Sequence, residues 1–525
     1  MSKLKELNRR ELLHFLGLAC SSAALSPVHL LTQSLISGLA TKAYAADLKL
    51  NPRRLLYIQL AGGPPRWVFD QFLNPYNSAG FIPNLQTSTK YKSIDGRYTE
   101  AEHKTVALKG IHAPWMWQFD LPTVNGGSRP MADLLDNLLA LQGLDSGNDS
   151  HDISRVNVFT PLGAMQSLTA MAGDSGDSGD SPIKSVSCGA SLMTHKSIKG
   201  FSNVTLREDG QSNLVQDLMD PFISTSSAAY SSKKQQLQDF INASMTSLQN
   251  TSHGEHFGAN SISTDQKTVA ELLAYSLNGL STYWTATVAK YDSLIKRSLD
   301  MTNPLPGIND LPIGSPLARN NTYRINADNS VATAADLRTL IPLDGKMGLL
   351  SRHMALAEYL FVNKLTHSLT INPGSFTSPD EHFVGVMVSL VKNTYCWRAY
   401  AACLLELISQ FKNAQIFNDT VIAVVGDFNR SPQLAGSGSD HRATASSGVF
   451  YSGAIQGPMI LGQLKADSGP KSGSIGDGDG TRDYGNLLSS SAALLRVPSP
   501  VTAKQTMVAE INGLVTASAE KSTLK

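Results

Sequence analysis

"KMGLLSRHMALAEYLFVNKLTHSLTINPGSFTSPDEHFVGVMVSLVKNTYCWRAYAACLLELISQFKNAQIFNDTVIAVVG", residues 346–426, alternates two kinds of hydrophobic pattern. Apolar residues recur at three- and four-residue spacing from Lys346 to Lys364, which predicts a helix, and "THSLTI" is then short and β-branched, which predicts a strand. A Pro-, Gly- and Ser-bearing loop, "NPGSFTSPDEH", leads to a second long helical pattern, and "DTVIAVVG" reads as another buried strand. Helices that alternate with buried strands argue for an α/β fold, a mostly parallel sheet flanked by helices and joined by right-handed crossovers. Further toward the N-terminus, "RRLLYIQLAGGPPRW" adds a strand, Leu55 to Leu60, broken by Gly62-Gly63-Pro64-Pro65.

Sites in such sheets form beyond the carboxyl ends of the strands, and two polar clusters fall there. After one strand come Asp380, Glu381 and His382; after the next come Asp427 and Arg430, then Asp440 and His441. If those strands are neighbours, carboxylates and imidazoles share one cleft. Oxygen and nitrogen donors in that mix suit one or two divalent ions, zinc or manganese first, while an arginine suits a phosphate or sulfate oxyanion. A metal-assisted ester hydrolase needs those parts. The same residues also fit a plainer role, since Ser378 or Asp380 can cap a helix that begins near Phe383. His353 and His367 lie inside predicted elements and read as packed or surface residues.

Other stretches are less specific. "MADLLDNLLALQGL", residues 131–144, has helical spacing; residues 225–310 carry long helical patterns and read as an inserted helical region. "GDSGDSGDSP", with Asp174, Asp177 and Asp180, reads as a solvated polar loop. "GDGDGTRDYG", with Asp477, Asp479 and Asp483, imitates part of a calcium loop but lacks glycine at the sharp-turn position, so it reads as loop.

The chain has 525 residues, 42% hydrophobic and 17% charged, with a formal net charge of +1. That balance gives no electrostatic basis for nucleic-acid binding, and the region beyond residue 45 holds no apolar run of membrane-spanning length. The N-terminus has Arg9-Arg10, a stretch of apolar and small residues, and Ala43-Tyr44-Ala45 before Asp47. This resembles a twin-arginine export signal, residues 1–45, cleaved after Ala45, and implies passage through the twin-arginine machinery to a periplasmic or secreted location. Alternatives are an amphipathic N-terminal helix and a lipid anchor at Cys20. Removal of residues 1–45 leaves 39 basic against 41 acidic side chains and three cysteines, Cys188, Cys396 and Cys403. Cys396 and Cys403 lie seven residues apart in one predicted helix, a rise of about 10 Å, too far for a disulfide.

At residues 419–457 a family resemblance enters. "DTVIAVVGDFNRSPQLAGSGSDHRATASSGVFYSGAIQG" is similar to the segment strand, Glu-Phe-Gly-Arg-Thr-Pro, Gly-rich loop, Asp-His-Gly, Gly-Gly-x-x-x-Gly of the exported family called domain of unknown function 1501. "SPDEHF" stands where that family has Trp-Asp-Thr-His, Ser150-His151 where it has a Ser-His pair, and "GTRDYGNLLSSSAALL" resembles its Asp-Tyr helix start. The resemblance implies an alkaline-phosphatase-like fold of the sulfatase-like superfamily, a single domain over residues 46–525, and action on phosphate or sulfate esters. It implies metal ligands at Asp380, His382, Asp427, Asp440 and His441, and an oxyanion-holding Arg430. The chain departs from the family by placing Pro64-Pro65 where an acid usually follows the first Gly-Gly, with no acid until Asp70. Arg442 also follows His441 in place of glycine. Those departures keep a second expectation open, a non-catalytic envelope binding or assembly protein on the same fold.

Overall fold

A computed structural model describes residues 52–72, 89–92, 98–101, 105–175, 181, 183–189, 194–201, 203–206, 277–300, 347, 349–373, 386–432, 439–462, 464–466, 475–478, 480–501 and 503–518. Its centre is an eight-stranded sheet whose strands are β1 (Arg54–Leu60), β2 (Leu138–Leu144), β3 (Ile183–Cys188), β4 (Val204–Leu206), β5 (Thr366–Ile371), β6 (Thr420–Gly426), β7 (Ser446–Tyr451) and β8 (Met459–Leu461). In space the order is β4-β3-β5-β1-β6-β7-β2-β8. Every neighbouring pair is parallel except the two that involve β7, which runs against both β6 and β2. The predicted α/β class and mostly parallel sheet are therefore present.

The strands are apolar on both sides because helices cover both faces. On one face Leu56, Ile58, Leu369, Ile371, Ile422 and Val424 pack with α3 (Leu277–Ser298), α4 (Leu350–Val362) and α5 (Val386–Asn413). On the other, Leu55, Tyr57, Val421, Ala423 and Val425 pack with α1 (His151–Phe159), α2 (Leu168–Ser175) and α6 (Tyr484–Leu495). The cysteines Cys188, Cys396 and Cys403 are buried thiols, each unoxidised. Among the described residues no helix is long and apolar enough to cross a membrane.

Two readings of the sequence are corrected. Residues 131–144 are not one helix: a 3-10 turn over Met131–Asn137 gives way to β2, whose seven residues are all buried. Helical spacing and a continuous apolar strand look alike over so short a run, and burial between two helical layers decides for the strand. The start of the expected polar loop, residues 173–175, instead closes α2. Asp174 is buried there, and it accepts hydrogen bonds from Gln166, from Ser197 Oγ (2.5 Å) and from the Ile198 N–H (3.0 Å). Of the expected helical region 225–310, residues 277–300 are described, and Leu277–Ser298 is helical as expected.

Because β7 is antiparallel, the carboxyl ends of β1, β6 and β2 lie along one edge of the sheet together with the first residue of β7. The described residues that follow those ends, 61–72, 427–432 with 439–442, and 145–155, meet at that edge.

Candidate functional site

The turn after β1 is built for close approach. Gly62 and Gly63 have φ of 91° and 56°, and a Cβ on Gly63 would lie 2.7 Å from the Phe428 ring. Glycine is therefore required on both conformational and steric grounds. The turn offers its backbone to the loop after β6. The Gly62 N–H donates to Asp427 Oδ2 at 2.9 Å, and the carbonyls of Gly63 and Gly62 accept from Arg430 Nε (2.6 Å) and Nη2 (3.1 Å).

Arg430 lies in a hairpin, Asn429–Pro432 paired with Ser439–Arg442, in which it stands directly opposite His441. Its Nη2 lies 3.2 Å from His441 Nε2, while His441 Nδ1 lies 2.7 Å from the Asp149 carbonyl. A guanidinium only donates and a carbonyl only accepts, so His441 carries its proton on Nδ1 and accepts at Nε2. Arg430 is buried, and here it ties the β1 turn to the hairpin.

Asp427 is the centre of the cluster. It is fully buried, and Oδ2 accepts from three donors: the Gly62 N–H, His151 Nδ1 at 3.0 Å and Arg155 Nε at 3.0 Å. Oδ1 has no partner. His151 and Arg155 are four residues apart on α1, hence on one face of the helix, which is how a single carboxylate reaches both. With Nδ1 donating to the carboxylate, His151 presents a lone pair at Nε2, and that atom is also buried without a partner. The ring is held between Phe428 and His441, with centroid distances of 4.6 and 4.9 Å. Arg155 has Asp427 as its polar partner, and its side chain remains 20% exposed.

Tyr484, the first residue of α6, supports this loop from beneath. Its hydroxyl lies 2.9 Å from the carbonyls of both Gly426 and Asp427. Burial pushes the phenol well above its ordinary pKa, so it remains a donor at any physiological pH. Its position is set by Asp483, which caps the helix by accepting from the N–H groups of Gly485 (2.9 Å) and Asn486 (3.2 Å). Tyr484→Phe is expected to cost about 1–2 kcal/mol, since it leaves buried carbonyls without their donor. Urea unfolding checks this; an unchanged midpoint would show the two bonds to be idle.

The first acid after Gly62-Gly63 is Asp70, and it is committed elsewhere. Arg66 grips it in a bidentate pair, Nε to Oδ1 at 2.8 Å and Nη2 to Oδ2 at 2.5 Å, and both residues are buried. Arg66 also donates to the carbonyls of Ser447 (2.6 Å) and Val424 (3.1 Å), which fastens the turn across β6 and β7. Both Asp70 oxygens thus face a guanidinium inside the fold.

Of the residues read as a site, the structure brings Asp427, Arg430 and His441 together. Asp380 and His382 lie outside the described residues, and so does the side chain of Asp440, whose backbone pairs with Ser431. Among the described residues no group of three or more His, Cys, Asp or Glu side chains is placed to hold a metal ion. Two donor atoms do fit a divalent cation, His151 Nε2 and Asp427 Oδ1, because each is buried with an uncommitted lone pair. His441 has both ring nitrogens engaged, and would have to release Arg430 to ligate through Nε2. His151 and Arg155 were not picked as site residues from the sequence; the Ser150-His151 pair in the family resemblance was the one signal for His151.

Residues 389–471, which carry most of α5, β6, the hairpin and β7, match the family profile described as "Protein of unknown function (DUF1501)". The match supports kinship with that family over this segment. No curated protein matches the chain. Solved structures that align with it include "Crystal structure of Ps i-CgsB", at 10% identity and a TM-score of 0.28, and "Crystal structure of Ps i-CgsB in complex with k-i-k-neocarrahexaose", at 11% and 0.25. Each alignment covers 87% of this chain and 75% of the other.

Proposed function

We propose that this sheet edge is the divalent-ion site of an exported hydrolase of phosphate or sulfate esters, built on an alkaline-phosphatase-like fold of the sulfatase-like superfamily. The observation that carries the reading is the pair of buried Asp427 with part-exposed His151, which holds the imidazole by Nδ1 and leaves Nε2 without a hydrogen-bond partner. A carboxylate that fixes a histidine in this way is the usual outer partner of a metal-bound imidazole. His151 is thus the ligand added to the set of Asp380, His382, Asp427, Asp440 and His441. Bound there, zinc or manganese supplies Lewis acidity and an activated oxygen nucleophile.

The chain's own residues do the rest. Asp427 orients His151 through Nδ1, while Gly62 and Arg155 donate to the same buried carboxylate. Arg155 takes the oxyanion-holding role first given to Arg430, because its guanidinium is tethered at Nε only, whereas Arg430 spends Nε and Nη2 on the turn carbonyls. The N-terminal twin-arginine pattern supports reading this activity as periplasmic or secreted. A second reading, a non-catalytic envelope binding or assembly protein, is favoured by one observation: Pro64-Pro65 replace the usual acid, and Asp70 is closed off by Arg66.

Elemental analysis of the protein purified from the export compartment separates the two. The first reading expects stoichiometric zinc or manganese, lost in His151→Ala and in His382→Ala/His441→Ala, with affinity lowered about 10–100-fold in Asp427→Asn. Folded wild-type protein without metal would favour the second. Metal-bearing protein is then screened against phosphate and sulfate monoesters, where Arg155→Gln is expected to raise KM.

A further inference from the structure

The far end of α1 from the Asp427 cluster leads to two built protrusions. Thr160 closes the helix, and Pro161 to Ala164 then form a β-turn in which the Ala164 N–H donates to the Pro161 carbonyl at 2.9 Å. Gly163, at the third position, has φ of 84°, as a type II turn requires. Leu162 stands at the tip and is 99% exposed. The second protrusion is "THKSIKGF", residues 194–201. It closes on itself: His195 Nε2 donates to the Phe201 carbonyl at 3.0 Å, and Ser197 Oγ accepts from the N–H groups of Lys199 (3.2 Å) and Phe201 (3.0 Å). The buried Asp174 carboxylate holds this loop from beneath, through the same Ser197 hydroxyl and the N–H of Ile198. A buried acid committed to the loop fixes Ile198 at the surface, where it is 40% exposed.

The two protrusions are joined. The hydroxyls of Thr160 and Thr194 lie 2.9 Å apart, and the Ser167 N–H donates to the Lys196 carbonyl at 3.0 Å. Lys196 Nζ reaches the Ala164 carbonyl at 2.9 Å, which puts its ammonium beside the turn that carries Leu162. Lys199 follows Ile198 and is exposed. Among the described residues neither ammonium has a carboxylate partner. An apolar side chain held out in water, with a second one and two cations close by, matches acyl chains beneath anionic headgroups. An apolar protein surface would leave the lysines unmatched, and a free anion would leave Leu162 in water.

We propose that Leu162 and Ile198, with Lys196 and Lys199, form a docking patch for a phospholipid surface that bears anionic headgroups. About 12 Å of helix, the length of α1, lies between the patch and His151, so the patch is distinct from the candidate site. The proposal does not depend on the hydrolase reading. Two short apolar tips and two lysines give weak, reversible attachment, to which each lysine contributes roughly fivefold in partition.

The test is co-sedimentation of the mature protein with sucrose-loaded vesicles, phosphatidylglycerol mixed with phosphatidylethanolamine against phosphatidylcholine alone. Partition into the anionic vesicles is expected, weakened by high salt. It should be about fivefold lower in Lys199→Gln and about tenfold lower in Leu162→Asp. Both side chains are exposed, so the variants should fold, which an unchanged unfolding midpoint checks. In a second measurement, brominated acyl chains should quench the added emission of Leu162→Trp and leave the wild-type emission unchanged. Equal partition into the two vesicle types, undiminished partition in Leu162→Asp, or no quenching in Leu162→Trp would each overturn the proposal. So would a wild-type dimer in sedimentation velocity that Leu162→Asp dissociates, because a second copy of the chain would then cover the patch.

Discussion

Asp427→Ala is expected to destabilise the protein by about 3–5 kcal/mol, the loss typical when one partner of a buried charged pair is removed. The reason is what remains behind. Arg155 Nε, His151 Nδ1 and the Gly62 N–H all lose the same acceptor oxygen, that of a side chain which is itself fully buried. Asp427→Asn keeps the shape and a carbonyl acceptor but not the charge, so it should fall between wild type and alanine. Chemical denaturation with a common m-value measures both; an alanine variant within about 1 kcal/mol of wild type would show that the three donors find other partners, and that Asp427 is no keystone of the loop.

The second large effect is sensitivity to mild acid. Burial pushes both His353 and His367 down to about 3, from the ordinary value of 6.5. Each is neutral in the folded chain while the unfolded chain binds a proton below about pH 6.5, so stability is full above that pH. It is lost as pH falls from 6.5 toward 3, at roughly 1.4 kcal/mol per pH unit for each histidine, and the two together amount to several kcal/mol by pH 4.5. The measurement is stability against pH in chloride buffer without phosphate or sulfate. His367→Gln should halve the slope between pH 6 and 5. A flat profile there would mean that both rings protonate in place, and half the slope that one does. His353 has a structural partner, Cys188 Sγ at 3.3 Å from Nε2, whereas neither ring nitrogen of His367 has a hydrogen-bond partner among the described residues.

How much of this was legible in the sequence depends on what kind of information each feature needs. β1, β5, β6, α4 and α5 were readable because their patterns are long and unbroken and their neighbours are sharp turn signals. β2 was not, because its run, apolar except for Gln142, satisfies either period, and only the helical layers on both faces decide between them. The direction of β7 was equally hidden, since strand residues do not encode whether the chain returns by a hairpin. At the site, residue types were readable and their partners were not. Asp427 was correctly placed at a carboxyl end of the sheet, yet the residues that engage it, Gly62, His151 and Arg155, are 365, 276 and 272 positions away. Arg430 looked like an anion-binding arginine because nothing local reveals that two carbonyls of a distant glycine turn accept from it. Asp174 looked like linker for the opposite reason: its Gly-Ser context concealed a buried acceptor.

Those separations have a consequence for the order of events during synthesis. The turn at Gly62 is made first, the carboxylate it binds comes more than three hundred residues later, and the hydroxyl that props that carboxylate's backbone, on Tyr484, later still. Over that interval the nascent chain carries an unmatched half of the cluster, and the pieces can join only once residue 484 has been made. The edge is therefore completed after translation of the sheet itself and not during it.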